Sequence, residues 1–188
     1  MTDMKKPVTI TLYLSELKYD VHNKTYLTGR SRQADGNYEQ VAAMQSNDDE
    51  EDLNQLLRVI GNAYNRLKTE MAEYIIEDGC QCGCLSGNTS TTDDVCNCEG
   101  EEGDNILLEN DDDDVLTICL QMPSNYNTGT IGTLTQEAHQ YIVNITLAEW
   151  FNITNKQDAK EYYQMAAANL EVIRKALSKR VRPNRPEV

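Results

Sequence analysis

A repeated spacing of apolar residues in two stretches of the chain constrains its fold more than any other feature. From Leu53 to Tyr74 the large apolar residues recur at alternating steps of four and three, and the same spacing returns from Ala159 to Leu177. Because an α-helix turns once in about 3.6 residues, such residues form one stripe along a helix. The chain is therefore expected to pack long amphipathic helices against one another.

The ends of the first of these helices can be predicted from the sequence. Ser46 or Asn47 can act as its N-cap, and the acidic residues at 48–51 follow where the helix dipole favours anions. Gly79 favours a helix end. These limits predict about 30 residues, or roughly 45 Å of helix.

Two more helices are predicted near the C-terminus. Thr133 or Thr135 caps a helix that has four apolar residues on one face: Ala138, Ile142, Ile145 and Ala148. Asn155, with Asp158 three residues later, caps the last helix. Its stripe comprises Ala159, Tyr163, Ala166, Leu170, Ile173 and Leu177.

Alternating apolar residues predict a small β component. Residues 8–14 alternate as in a half-buried strand, and 24–29 is a plausible second strand of an N-terminal hairpin. Residues 30–46 show no period and are expected to form a connection. Residues 115–120 alternate again and would form a central β-hairpin with 105–109. The predicted fold class is mainly α with a small β component (α+β), built from three long amphipathic helices, an N-terminal strand or hairpin and a central hairpin.

The charge is concentrated in the middle of the chain. The formal net charge is −14, yet residues 69–155 contain no Lys or Arg and 17 Asp or Glu, whereas residues 156–188 contain eight basic and four acidic residues. Non-specific nucleic-acid binding needs Lys and Arg to neutralise phosphates, so the acidic middle argues against it. The acidic surface either repels DNA or only keeps the protein soluble.

The length of 188 residues fits one domain, 1–188, in which 79–114 forms a Cys-rich acidic insertion and 181–188 a basic tail rich in Pro and Arg. No apolar run approaches the roughly 20 residues that cross a bilayer, so no membrane contact is expected. The N-terminus lacks the apolar core of a signal peptide. Synthesis in a reducing cytoplasm, where stable disulfides are disfavoured, is therefore expected.

Five of the six cysteines lie in one short stretch, GCQCGCLSGNTSTTDDVCNCEG at 79–100. They are candidate metal ligands, because thiolates suit zinc and alternate residues of an extended chain share a face. The candidates are Cys80, Cys82, Cys84, Cys96 and Cys98. The alternative is a solvated loop whose thiols bind metal opportunistically or cross-link. No cofactor is required, and zinc is the ion that this loop would take. Cys119 is expected to be a small core residue.

The sequence gives no indication of catalysis. Its two histidines, His22 and His139, complete no recognisable triad, and the Gly-rich phosphate-binding motifs are absent. Its many carboxylates lack the apolar neighbours that shift a pKa, and the run at 111–114 is either a solvated tip or a DNA-repelling or calcium-binding surface. We therefore predict that the protein is not an enzyme.

Tyrosine is over-used, with ten residues against one Phe and one Trp. Five lie on or beside the predicted helical stripes: Tyr64, Tyr74, Tyr141, Tyr162 and Tyr163. They form either ordinary edges of the core or surfaces buried against another subunit, for which tyrosine is well suited. Because one thin chain cannot bury all its stripes, a homo-oligomer is expected.

Four segments give the chain a resemblance to a known family. They are YDVHNKTYLTGRSR (19–32), DDEEDLNQLLRVIGNAYNRLKTEM (48–71), VLTICLQMPSNYN (115–127) and HQYIVNITLAEWFNITNKQDAKEYYQMAAANLEVIRKALSKRVRP (139–183). Together they resemble the head–tail connector proteins of phages and prophages of gut Bacteroidales, above all the ring proteins beneath the portal of crAss-like phages. The resemblance covers about three-quarters of the chain and omits 79–104. Its most specific part is the LAEWFNITN junction.

The resemblance implies a structural virion protein that is assembled in the bacterial cytoplasm. Such an adaptor forms a dodecameric ring that extends the portal channel, contacts the portal and adjacent tail or ring proteins, and lets genomic DNA pass without specific binding. The basic residues that would then dock on the portal are Arg174, Lys175, Lys179, Arg180, Arg182 and Arg185. The acidic surface of the channel would include Asp111, Asp112, Asp113 and Asp114.

Two other function classes remain open from the sequence. One is a cytoplasmic metal-binding protein built around residues 80–98, and the other is a regulator that binds a protein partner through its acidic segment. Elemental analysis of protein purified without chelator tests the first class, because a native site would retain near-stoichiometric zinc. A soluble monomer or dimer would favour the second class over a ring.

Overall fold

The computed structural model describes residues 5–33, 37–45, 50–75 and 114–181 of the chain. The elements in these ranges are, in order, β1 (Lys6–Tyr13), α1 (Leu14–Ser31), α2 (Tyr38–Met44), α3 (Glu50–Glu70), β2 (Val115–Met122), α4 (Ile131–Thr154) and α5 (Lys156–Ser178). The predicted fold, mainly α with a small β component, is confirmed. The three predicted long helices are α3, α4 and α5, and α1 adds a fourth of 18 residues.

β1 and β2 pair as a two-stranded antiparallel sheet, although they lie far apart in the sequence. The register runs from Lys6 opposite Met122 to Tyr13 opposite Val115. One face is buried against the helices and consists of Val8, Ile10, Leu12, Leu116, Ile118, Leu120 and Met122. The predicted alternation is confirmed for both strands. The proposed partner of β2 at 105–109 lies outside the described residues.

The predicted strand at 24–29 is wrong, because this segment lies inside α1. The residues that α1 buries along one side are four apart: Leu17, Val21, Thr25 and Gly29. The Thr25 hydroxyl donates to the carbonyl oxygen of His22 at 2.8 Å, so this buried polar group is satisfied within the helix. Tyr26 and Thr28 have β propensity and obscure the helical period.

The expected connection over 30–46 is also wrong, since it contains the end of α1 and the helix α2. α2 packs beside Gly29, where an added Cβ would lie 3.1 Å from Cγ of Gln45 and 3.2 Å from the carbonyl oxygen of Val41. This close approach to α2 favours a residue without a side chain at position 29.

The apolar stripe of α3 is confirmed, but the helix is shorter than predicted. Leu57, Ile60, Tyr64, Leu67 and Met71 are buried, with Leu53, Tyr74 and Ile75 packed against the core. The helix ends at Glu70 rather than Gly79, because the chain tightens into a 3₁₀ turn at Ala72–Tyr74 and Ile75 forms a β-bridge with Leu120. The predicted caps Ser46 and Asn47 lie outside the described residues.

Cys119 is partly exposed, so its predicted place in the core is wrong. It lies opposite Thr9, on the sheet face that also carries Thr11 and Thr117. Because side chains alternate along a strand, the register that buries Ile118 turns Cys119 to the other face.

α4 lies at the centre of the fold. It starts at Ile131, upstream of the predicted caps Thr133 and Thr135, after a 3₁₀ turn in which Asn127 Oδ1 accepts from the Gly129 amide at 3.0 Å. The predicted face is buried, and so are residues on the other sides of the helix. The buried set is Leu134, Ala138, Tyr141, Ile142, Val143, Asn144, Ile145, Thr146, Leu147, Ala148, Trp150 and Phe151.

α5 folds back antiparallel on α4. The predicted cap is confirmed, since Asn155 Oδ1 accepts from the Gln157 amide at 3.2 Å and Asn155 Nδ2 donates to Asp158 at 2.8 Å. In the predicted stripe, Tyr163 is 39% exposed. Its neighbour Tyr162 instead stacks on Phe151 with ring centroids 5.5 Å apart. The other stripe residues are buried or packed against the core: Ala159, Ala166, Leu170, Ile173 and Leu177.

The central position of α4 predicts unequal effects of two substitutions in this helix. Leu147 is fully buried, so Leu147→Ala should lower the free energy of unfolding by about 2–5 kcal/mol through lost contacts and a cavity. Ile153 is 76% exposed, so Ile153→Ala should change it by less than about 0.5 kcal/mol. Urea denaturation measures both values, and equal losses would contradict the burial of α4.

Tyr64 predicts a loss of stability at alkaline pH. Its hydroxyl donates to the carbonyl oxygen of Thr117 at 2.7 Å, and burial, followed by the Cys119 thiolate, raises the pKa of Tyr64 from 10.0 to about 12. Above pH 10 the unfolded chain releases this proton while the folded chain keeps it. The contribution of the protonated Tyr64 hydroxyl to the free energy of unfolding is therefore complete below pH 10 and is lost as the pH rises through about 12. Urea titrations below and above this pH range should show a larger loss in the free energy of unfolding for the wild type than for Tyr64→Phe.

Candidate interaction surfaces

The outward side of α1 carries one exposed series of residues, which we call the α1 outer face: Glu16, Tyr19, Asn23, Tyr26 and Arg30. They follow each other at steps of three and four, on the side of the helix opposite Leu17 and Val21. Tyr19 is 68% exposed and Tyr26 is 43% exposed. The face thus has an aromatic middle, an acid at its start and a base at its end.

The outward side of α5 carries a second series, the α5 outer face: Glu161, Met165, Ala168, Val172 and Lys175. All five are exposed, with Met165 at 44% and Val172 at 36%. They lie along one flank of the helix, next to the side that buries Ala159, Ala166 and Ile173. α5 is therefore apolar on two sides, and within the described residues only one of them is covered by other elements.

The tyrosines differ in burial in a way that the sequence did not reveal. Of the five expected to form either core edges or subunit contacts, Tyr64 and Tyr141 are buried, Tyr74 and Tyr162 are partly buried, and Tyr163 is exposed. The other large exposed tyrosines lie at the start of the fold: Tyr13, Tyr19, Tyr26 and Tyr38. Sequence reasoning missed this second group because it did not identify α1 as a helix. The signal that would have found it is the spacing of four between Leu17, Val21 and Thr25.

The predicted portal-docking residues play different parts at the end of α5. Arg174 lies 2.6 Å from Glu70 of α3, and Arg180 donates to the carbonyl oxygens of Leu177 at 2.7 Å and Lys179 at 3.2 Å. These two arginines therefore hold the end of α5 in place. Lys175 lies 3.5 Å from Glu171, both strongly exposed, and Lys179 is exposed at the C-cap. Arg182 and Arg185 lie outside the described residues.

Most of the other predicted site residues fall outside the described residues. These are the candidate metal ligands Cys80, Cys82, Cys84, Cys96 and Cys98 and the acidic residues Asp111, Asp112 and Asp113. Asp114 is described, and its carbonyl oxygen accepts from the amide of Leu14 at 3.0 Å. The acidic run thus joins the fold at the end of the β1–β2 ladder.

Two shallow grooves lie on the surface of the described residues. One, of about 330 Å³, is lined by Ser15, Glu16, Tyr19, Asp20 and His139. His139 Nε2 lies 3.0 Å from Asp20 Oδ2, but in the described part of the chain no hydrogen bond links His139 to Ser15, as a nucleophile would need. The other, of about 420 Å³, lies along α5 and carries two lysines but no carboxylate or histidine. Neither groove gathers a catalytic set.

The His139–Asp20 contact joins α1 to α4. Beside it, Lys24 donates to Gln140 at 3.2 Å, and burial lowers the pKa of Lys24, an effect that Asp20 opposes. In the ranges that the structure covers, no group of three or more His, Cys, Asp or Glu side chains is placed to hold a metal ion.

None of the helices described here has both the length and the apolar character needed to span a membrane. Comparison with known protein families, curated proteins and solved structures finds no match to this chain. The two outer faces are therefore interpreted from their own chemistry.

Proposed function

We propose that this chain is a structural virion protein that forms a homo-oligomeric ring in the phage head–tail connector, below the portal. The segments that carry the family resemblance coincide with folded elements. Among the residues that the structure describes, 19–31 lie in α1, 50–70 in α3, 115–122 in β2, 139–154 in α4 and 156–178 in α5. The resemblance therefore covers α3, β2 and α5 and most of α1 and α4, whereas β1 and α2 lie outside it.

The observation that carries the proposal is the pair of outer faces on α1 and α5. Soluble monomers rarely leave extended apolar patches in water, and larger ones mark surfaces that bind other proteins. Tyrosine and methionine are enriched in such surfaces, and both are exposed here. Two different faces on one chain also suit a ring, because each copy can use one face toward each neighbour.

The charge distribution supports a passage for DNA. Residues 69–155 contain no Lys or Arg, so a channel wall that presents the acidic residues of this segment would repel phosphates and let genomic DNA slide without specific binding. The basic residues at the end of α5 and in the tail would face the portal, where opposite charge fixes register. The ring would thereby extend the portal channel and present its other side to tail proteins.

This function predicts that the protein is a component of mature particles. Mass spectrometry of purified virions should detect the chain together with the portal protein. Cryo-electron microscopy of the connector should show the α-helices of this fold as a dodecameric ring beneath the portal. A particle in which the chain is absent from the connector would refute the proposal.

The acidic channel predicts a separable effect of charge removal. Replacing Asp111, Asp112, Asp113 and Asp114 together with Asn should leave ring assembly intact, but it should impair retention or release of DNA because the repulsion of phosphate is lost. The matched control replaces the same residues with Glu, which keeps the charge and should behave as the wild type. Packaged DNA and infectivity measure the effect, and unchanged infectivity of the Asn variant would contradict the channel position.

A further inference from the structure

We propose that the α1 outer face of one copy packs antiparallel against the α5 outer face of the next copy. This inference rests on the proposed function, since it names the contact that would build the ring. Its occupant is a second copy of the same chain.

The two outer faces match in the spacing of their residues. Each face runs over the same number of residues, from Glu16 to Arg30 and from Glu161 to Lys175, or about 21 Å of helix. The steps along one face are the reverse of those along the other, as antiparallel packing requires. One alignment then places every residue opposite a partner: Arg30 with Glu161, Tyr26 with Met165, Asn23 with Ala168, Tyr19 with Val172, and Glu16 with Lys175.

The charges of the two faces are complementary, and they decide the direction in which the helices pack. Each face begins with an acid and ends with a base. In the antiparallel arrangement, Arg30 meets Glu161 at one end and Glu16 meets Lys175 at the other. A parallel arrangement would place Glu16 beside Glu161 and Arg30 beside Lys175, and such like-charge contacts disfavour a complex.

The residues between the charged ends also match in their chemistry. Tyr26 opposite Met165 is a contact of an aromatic ring with a thioether, which is favourable. Val172 covers the ring of Tyr19, and both side chains are exposed in the single chain. Ala168 opposite Asn23 places small side chains at the middle of the contact, so the two helix axes can approach to about 8–10 Å.

The contact joins two different faces, so it is heterologous and propagates around a ring. The same charges also allow two rival contacts, α1 with α1 or α5 with α5, each of which would close as a two-fold dimer. In this arrangement Lys175 belongs to the contact between copies. The residues left to face the portal are then Lys179, Arg182 and Arg185.

The test reverses one charge on each face. Arg30→Glu and Glu161→Arg should each raise the concentration of half-assembly by about tenfold or more, because each places like charges together. An equimolar mixture of the two variants should recover wild-type assembly. In an alternating ring the acid introduced at position 30 meets the base introduced at position 161, and the unchanged Arg30 meets the unchanged Glu161. Neither two-fold dimer predicts this recovery. Sedimentation velocity measures the assemblies, and thermal unfolding checks that each variant is folded.

A matched control lies on the same helix but off the face. Lys160 is exposed beside the second groove, so Lys160→Glu should leave assembly unchanged. Should the wild type assemble only on the portal, the same variants are compared by copies per purified particle. The α1–α5 contact is contradicted if both charge reversals leave assembly unchanged, or if the mixture does not restore it. Neither outcome contradicts the ring. A wild-type chain that is monomeric in solution and missing from particles overturns the proposed function.

Discussion

The rest of the structure depends on the burial of α4. Its side chains are buried on nearly every side, so the other elements must surround it. α5 covers one side of α4 and α3 covers another. The remaining sides are covered by α1 and the apolar face of the sheet. A helix that is apolar all round is stable only inside such a shell. Each surrounding helix therefore gives one face to α4, and its opposite face is left for solvent or for another chain.

Ion pairs at the rim fix the outer helices to this centre and to each other. Arg32 at the end of α1 pairs with Asp158 in the first turn of α5, and Asn155 also donates to that buried carboxylate. A buried carboxylate must be paired, so this contact couples the two helices that carry the outer faces. Inside the α4–α5 pair, Asn144 donates to Asn169 at 2.8 Å, and Asn169 donates to Glu137 at 2.7 Å. The two faces are thus held in a fixed relation, which a ring of constant geometry requires.

The sequence allowed some elements to be predicted and not others. α3 and α5 were recognisable because large apolar residues mark each of their turns, and Asn155 marks a helix start. α1 was missed because its inward side is built from Thr25 and Gly29 as well as Leu17 and Val21, and its outward side carries tyrosines typical of strands. The partner of β1 was missed because sequence patterns favour local hairpins, whereas the real partner follows α3 and the segment after it.

What the sequence determined by itself is therefore local: the stripes, the caps, the strand alternation and the uneven charge. These follow from periods of two and 3.6 residues and from neighbouring hydrogen bonds, which one stretch of chain contains entirely. Only the tertiary structure decided which apolar side chains stay exposed. Tyr64 and Tyr19 are the same residue type on amphipathic helices, yet one is buried beneath β2 and the other faces outward. Burial depends on whether another element lies over a side chain, and no single stretch of sequence contains both partners.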